Sequence, residues 1–286
     1  MNSVPRLRIS AISFLNTAPL MWDFEHIERA RELSKEFEIS YTVPSLCAEA
    51  LRKGEADIGI IPAITYQTIP DLVIIPDIAI ASAGAVRSIL LVSKKPLPEV
   101  RTVAVDTSSR TSVALLEIIF RKGWIGGSSV PKFVPQAPEL DRMLKSCDAA
   151  LLIGDPALTI DRNRYQVIDL AEVWSARTGK PFVFAFWAVR KRALEGQDAA
   201  EIARIFQQSR DHGLQNIDAI AKDWAPRVGI SERDVKTYLT ESISYSLSSE
   251  TVAGLELFFE LAAEFGIIPA VKPLQLIGAA EPAKVR

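Results

Sequence analysis

An α/β protein of two similar lobes around a ligand cleft is the architecture this 286-residue sequence predicts. Three observations carry it. Short β-branched runs alternate with helical stretches over the first two-thirds, the two halves of that region repeat each other, and polar turns follow apolar strands at matching places.

The strand runs are LRISAISF, FEISYTV, ADIGIIP, LVIIPDIAIA, SILLVS, RTVAVD, KFVP, AALLIG and PFVFAFWAV. Their alternation with helical stretches argues for mainly parallel strands. VPSLCAEALRKGEADIGIIPAI, from Val43, is echoed 91 positions later by VPQAPELDRMLKSCDAALLIGDPAL, from Val134. Thirteen positions separate Pro44 from Asp57, and Pro135 from Asp148, and each Asp opens an apolar strand. The same offset carries Asn16-Thr17 onto Thr107-Ser108. From about Lys191 the pattern is helical. Ser231 with Asp234 forms a capping-box-like start, and Ser248 or Ser249 caps a helix ending at Gly266. Residues 1–87 with 189–286 are expected to form lobe one, and 88–188 lobe two, with a cleft between them that closes on a ligand.

Composition narrows the function. With 33 basic and 35 acidic residues there is no global field to hold nucleic acid or an anionic membrane. The opening MNSVPRLRIS lacks a secretory apolar core. No apolar run approaches the roughly 20 residues of a spanning helix, so a cytoplasmic protein is expected. Cys47 and Cys147 are too few for a disulfide scaffold and read as buried thiols. His26 and His212 read as structural or solvated, and HExxH, CxxC, GxGxxG, GxxxxGK[ST] and GxSxG are all absent. An enzyme of this composition is expected to use neither a metal nor a nucleotide cofactor.

Hydroxyl and amide chemistry at strand-to-helix turns remains. In DTSSRTS, residues 106–112, five hydroxyl residues and Arg110 separate a strand from a helix. One Ser or Thr suffices as an N-cap. The surplus suits a carboxylate or phosphate at the positive end of the helix. The matching turn is Asn16-Thr17, with Pro19 in the first helical turn. Two such turns facing one cleft point to a compact dianion, such as a dicarboxylate. Ser82, before Gly84, either faces the cleft or ends a strand. Asp155 either lines the cleft or caps the helix begun by Pro156. Ser45 reads as a plain cap, and Trp174, Trp187 and Phe184 as core aromatics.

SFLNTAPL, PSLCAEALRKGEADIGIIPAITY, IASAGAVRSILLVS, DTSSRTSVALL, DAALLIGDPAL and DLAEVWSARTGKPFVFAFWAVR, in this order, resemble the chorismate dehydratases of menaquinone biosynthesis by the futalosine route. The resemblance runs from about Leu7 to Arg190, and YLTESISYSL with GLELFFELA fits it too. It implies a periplasmic-binding-protein-like fold of type II and the cofactor-independent conversion of chorismate to 3-[(1-carboxyvinyl)oxy]benzoate. It implies that Asn16 polarises or orients the substrate and that Ser82 hydrogen-bonds at the reacting centre. Thr17, Ser108, Ser109 and Thr111 are then expected to hold the carboxylates. The substrate's own enolpyruvyl carboxylate is the expected proton acceptor, with Asp155 as the protein alternative. Two other readings share the pattern: the 1,4-dihydroxy-6-naphthoate synthase of the same pathway, and a cytosolic protein that only binds an anion.

Overall fold

A computed structural model describes residues 6–126 and 129–278. The runs before the first crossing become β1 (Leu7–Ile12), β2 (Phe37–Thr42), β3 (Ile58–Pro62), β4 (Leu72–Ile74) and β5 (Ile80–Ser82). A second sheet holds β6 (Ile89–Ser93), β7 (Thr102–Asp106), β8 (Lys132–Gln136), β9 (Ala149–Ile153) and β10 (Gln166–Asp169). The next strand, β11 (Phe182–Arg190), belongs to the first. The strand orders are β2-β1-β3-β11-β4, with β5 also on β11, and β10-β6-β9-β7-β8. Two α/β lobes are therefore present, as the alternation predicts, but the strands are not mainly parallel, because β6, β10 and β11 join their neighbours antiparallel. LVIIPDIAIA divides into β4 and β5 because Pro76 and the left-handed Asp77 (φ 63°) interrupt it. Every residue of β3, β6 and β9 is buried, as expected of strands covered on both faces.

The sequence repeat is a repeat of topology. β1 pairs in parallel with β2 and β3, and β7 pairs in the same way with β8 and β9. The repeated Asp has the same task in each half. Asp57 Oδ2 accepts the Arg8 N–H at 3.0 Å, and Asp148 Oδ2 accepts Arg101 N–H at 3.0 Å and Thr102 N–H at 3.1 Å. Each carboxylate thus pins the start of one strand to the start of its parallel neighbour. The Lys95 ammonium and the backbone N–H groups hold the Asp148 carboxyl well below the usual range.

The expected boundary at residues 188/189 needs correction. β11 pairs antiparallel with β3, β4 and β5, so the second crossing precedes Phe182. Its nearly unbroken apolar run fits a strand buried inside the first sheet. Buried Asp169 ties the two crossings together. Its Oδ2 accepts the Arg87 N–H at 2.6 Å, and its Oδ1 caps the helix Leu170–Thr178 through Ala171 and Glu172.

The C-terminal helices cover lobe one, and Ser231 and Ser248 cap two of them as predicted. Helix Ala199–Gln215 lies on the 3-10 helix Leu15–Met21, which follows β1. Gly213 permits the approach, since a Cβ there would stand 2.1 Å from the Pro19 carbonyl oxygen. Ser209 Oγ donates to Leu20 O at 2.9 Å and accepts the Asp23 N–H at 3.0 Å. Helix Ser249–Glu264 packs on β11 and on helix Thr111–Arg121 of the second lobe, so it touches both lobes. No described helix is long and apolar enough to cross a membrane.

Gly213→Ala is expected to destabilise the fold by roughly 1–3 kcal/mol, because the obstructing atoms are backbone and cannot swing aside. Urea unfolding measures it. Wild-type stability in this variant would contradict the close packing of the two segments.

Candidate functional site

A cavity open to solvent lies between the lobes. Lobe one presents Ile12, Phe14, Asn16, Thr17 and Ile80. Lobe two presents Ser109 to Ser112 with Ile153 and Gly154. Its apolar walls with few polar groups are those of a small-molecule site. The two turns singled out by sequence do converge here.

The polar groups divide by what they already bond. Thr17 lines the cavity, but its one hydroxyl hydrogen is shared between Ile12 O at 2.6 Å and Phe14 O at 2.7 Å, which closes the turn after β1. Ser108 does not line it. Its N–H and hydroxyl both go to Asp106 Oδ1, at 2.8 and 2.7 Å. Burial pushes the Asp106 carboxyl up, against the pull of these two bonds. Thr111 Oγ1 accepts the Ile64 N–H at 3.2 Å and so joins the lobes. Among the described residues the side chains of Ser109, Arg110 and Ser112 have no protein partner. They stand where helix Thr111–Arg121 begins, with its unpaired N–H groups. This set suits a carboxylate, with Arg110 able to meet both its oxygens. Sequence reasoning placed Arg110 in the run without giving it a role. A single guanidinium among hydroxyls was the available signal.

Asn16 lines the opposite wall, and its Oδ1 is buried without a hydrogen-bond partner. Ser82 is not among the lining residues. Its hydroxyl donates to Gly84 O at 2.8 Å, although it shares a face of β5 with Ile80, which does line the cavity. Phe184 both packs on Phe182 and lines the cavity, whereas Trp174 and Trp187 are core.

Asp155 does neither of the two things expected of it. It lies outside the cavity lining, and its carboxylate reaches across to accept the N–H of Leu15, the first residue of the 3-10 helix that carries Asn16, at 2.9 Å. Beside it, Gly154 (φ 66°, ψ −148°) has a backbone open essentially to glycine alone, and a Cβ there would meet the Phe14 ring at 2.9 Å. These contacts, with Thr111 to Ile64, close the lobes on each other.

The remaining titratable residues supply no obvious chemistry. His212 Nδ1 pairs with buried Asp23 at 2.8 Å, and His26 stacks on Trp22. Both cysteines are buried and free, and burial pushes the Cys47 thiol up to about 11. Among the described residues no three His, Cys, Asp or Glu side chains gather as metal ligands.

Burial, partly offset by the Leu15 N–H, raises the Asp155 carboxyl to about 6. A carboxyl raised on folding contributes most below its unfolded pKa, and that contribution is lost as pH climbs through the folded value. Wild type should therefore lose about 2–3 kcal/mol relative to Asp155→Asn between roughly pH 4 and 6. Denaturation midpoints across that range test this, and parallel pH profiles would contradict it.

Comparison with known proteins adds to this geometry. A protein named chorismate dehydratase from Thermus thermophilus is 29% identical over 265 residues, 86% of this chain and 92% of the relative. A second of that name, from Campylobacter jejuni, is 33% identical over 123 residues, 42% of this chain and 51% of its own length. Among solved structures, an Archaeoglobus fulgidus protein superposes with TM-score 0.72 at 18% identity, covering 92% of this chain and 98% of its own. The periplasmic aliphatic sulphonate binding protein of Escherichia coli does so with TM-score 0.64 at 18% identity, covering 99% and 97%. The fold is thus periplasmic-binding-protein-like, as the resemblance implies. The family model described as menaquinone biosynthesis matches residues 7–264, and the chain belongs to that family.

Proposed function

We propose that the protein is a chorismate dehydratase, forming 3-[(1-carboxyvinyl)oxy]benzoate and water on the futalosine route to menaquinone. The observation that carries this reading is the division of the cavity. Unpartnered Ser109, Arg110 and Ser112 stand on one wall and Asn16 on the other, with apolar side chains between. That arrangement suits a compact ring with anionic substituents, and the two curated relatives bear the dehydratase name. A cytoplasmic location accords with this role.

In the reaction the ring C3–H bond breaks and its electron pair enters the ring. The C4–O bond then breaks, and the hydroxide leaves as water once it gains a proton. The ring becomes aromatic, so the step is downhill and needs no oxidant, reductant or metal ion. Conjugation with the ring carboxylate acidifies C3 and spreads the developing charge toward that carboxylate. There Arg110 and the start of helix Thr111–Arg121 stabilise it. Thr17, Ser108 and Thr111, assigned to the carboxylates by resemblance, instead brace the two walls, Thr17 the turn that carries Asn16, and Ser108 and Thr111 the turn that carries Ser109, Arg110 and Ser112. Asn16 orients the ring at the reacting centre. Ser82 reaches the leaving hydroxyl once its own hydroxyl releases Gly84. The enolpyruvyl carboxylate removes the proton. The engagement of Asp155 with Leu15, outside the cavity lining, supports a base carried by the substrate.

Purified protein incubated with chorismate, without added metal, should change the ultraviolet spectrum and yield a product lighter by one water. Stoichiometric binding without water loss would mark an anion-binding protein. Turnover of the cyclic futalosine alone would mark the 1,4-dihydroxy-6-naphthoate synthase. Asn16→Ala and Ser82→Ala should each lower turnover on the order of a hundredfold with melting temperatures near wild type. Loss of folding in step with activity would assign that residue to structure.

A further inference from the structure

Beside the cavity one carboxylate is committed to backbone rather than to a ligand, and the groups that hold it come from both lobes. The 3-10 helix Leu15–Met21 begins without a capping side chain, since Phe14, which precedes it, bonds none of its N–H groups. The first N–H of a helix has no acceptor within it. Asp155 supplies one from the opposite lobe, 140 positions on, with Oδ1 at 2.9 Å and Oδ2 at 3.3 Å from Leu15 N. The next residue is Asn16, whose Oδ1 is buried without a hydrogen-bond partner. Asn16 is therefore placed by the backbone on either side of it. Leu15 is held through Asp155, and Thr17 through the hydroxyl that closes the turn after β1.

Asp155 is itself held. Gly154 leaves β9 with φ 66° and ψ −148°, open essentially to glycine alone, and so fixes the direction in which the chain enters Asp155. The Gly154 N–H donates to Ser88 O at 2.9 Å. Ser88, 1% exposed, precedes β6, and its Oγ accepts the phenol O–H of Tyr238 at 2.8 Å. Tyr238, equally buried, opens the π-helical turn Tyr238–Ser242 of the C-terminal region. From Tyr238 through Ser88, Gly154 and Asp155 to Leu15, hydrogen bonds and adjacent residues form one path. It leaves the C-terminal region, crosses lobe two and returns to lobe one beside Asn16. Buried polar groups that satisfy one another hold a single geometry.

We propose that Asp155 is a positioning residue, which by capping Leu15 across the cleft sets the distance from Asn16 to the wall of Ser109, Arg110 and Ser112. Resting on the dehydratase reading, this makes Asp155 necessary to turnover without contact with the substrate. The substrate spans both walls, and a displacement of about 1 Å at one of them can cost on the order of a hundredfold in rate. A carboxylate that serves as an acceptor differs from one that serves as a base in what can replace it. An amide oxygen at the same place replaces the acceptor, whereas only another proton-accepting group replaces the base.

The test compares Asp155→Ala, Asp155→Asn and Asp155→Glu with chorismate as substrate, each assayed well below its melting temperature. Asp155→Ala should lose about ten- to a hundredfold in kcat/KM. Asp155→Asn, with an oxygen that still meets the Leu15 N–H, should recover to within about threefold of wild type. Asp155→Glu keeps the charge on a longer side chain, and should stay at least about fivefold below Asp155→Asn. On an Asn16→Ala background, Asp155→Ala should cost less than about twofold more, because residues that act through one another are not additive. Wild-type kcat/KM in Asp155→Ala, greater activity in Asp155→Glu than in Asp155→Asn, or additive losses with Asn16→Ala would each overturn the proposal. If Asp155→Ala does not fold, the order of Asp155→Asn and Asp155→Glu still decides. An inactive wild type would sink the dehydratase reading as well. An active wild type with an indifferent Asp155→Ala sinks only this inference.

Discussion

The backbone approach of Pro19 to Gly213 sets where the Leu15–Met21 segment sits, and with it the lobe-one wall of the cavity. Gly213 brings helix Ala199–Gln215 into contact with the main chain, and Ser209 then joins Leu20 and Asp23 to that helix. From the opposite side, Asp155 holds the N–H of Leu15. A seven-residue 3-10 helix has little stability of its own. Its position is owed to these partners, one from the C-terminal region and one from the other lobe.

Division of labour among the hydroxyls follows from the same need to satisfy buried groups. Thr17, Ser108 and Thr111 lie at or near the cavity wall, yet each is occupied by backbone or by Asp106. They shape the turns and join the lobes. Ser109, Arg110 and Ser112 remain free to meet a ligand. One rich polar run thus serves two purposes, and adjacent residues fall on different sides of that line.

Much of the frame was legible in the chain itself. The 91-residue repeat foretold that β1–β3 and β7–β9 share one topology, because the same spacing returns Asp57 and Asp148 to the start of equivalent strands. Apolar runs marked the buried strands, and Ser231 and Ser248 announced their helices. β11 was placed on the wrong side of the lobe boundary for a definite reason. A run buried on both faces reads alike in either sheet, and only its pairing with β3, β4 and β5 decides.

The sequence alone determined the α/β class, the repeat, the polar character of both turns and the family resemblance, since each is written in local pattern and spacing. Tertiary structure decided which polar atoms are free. Asp155 meets Leu15 across 140 positions, and Tyr238 meets Ser88 across 150. No local pattern encodes such pairs. A hydrogen bond is settled by which donor and acceptor are brought within reach, and for distant residues only the packing of the lobes and the C-terminal helices brings them there.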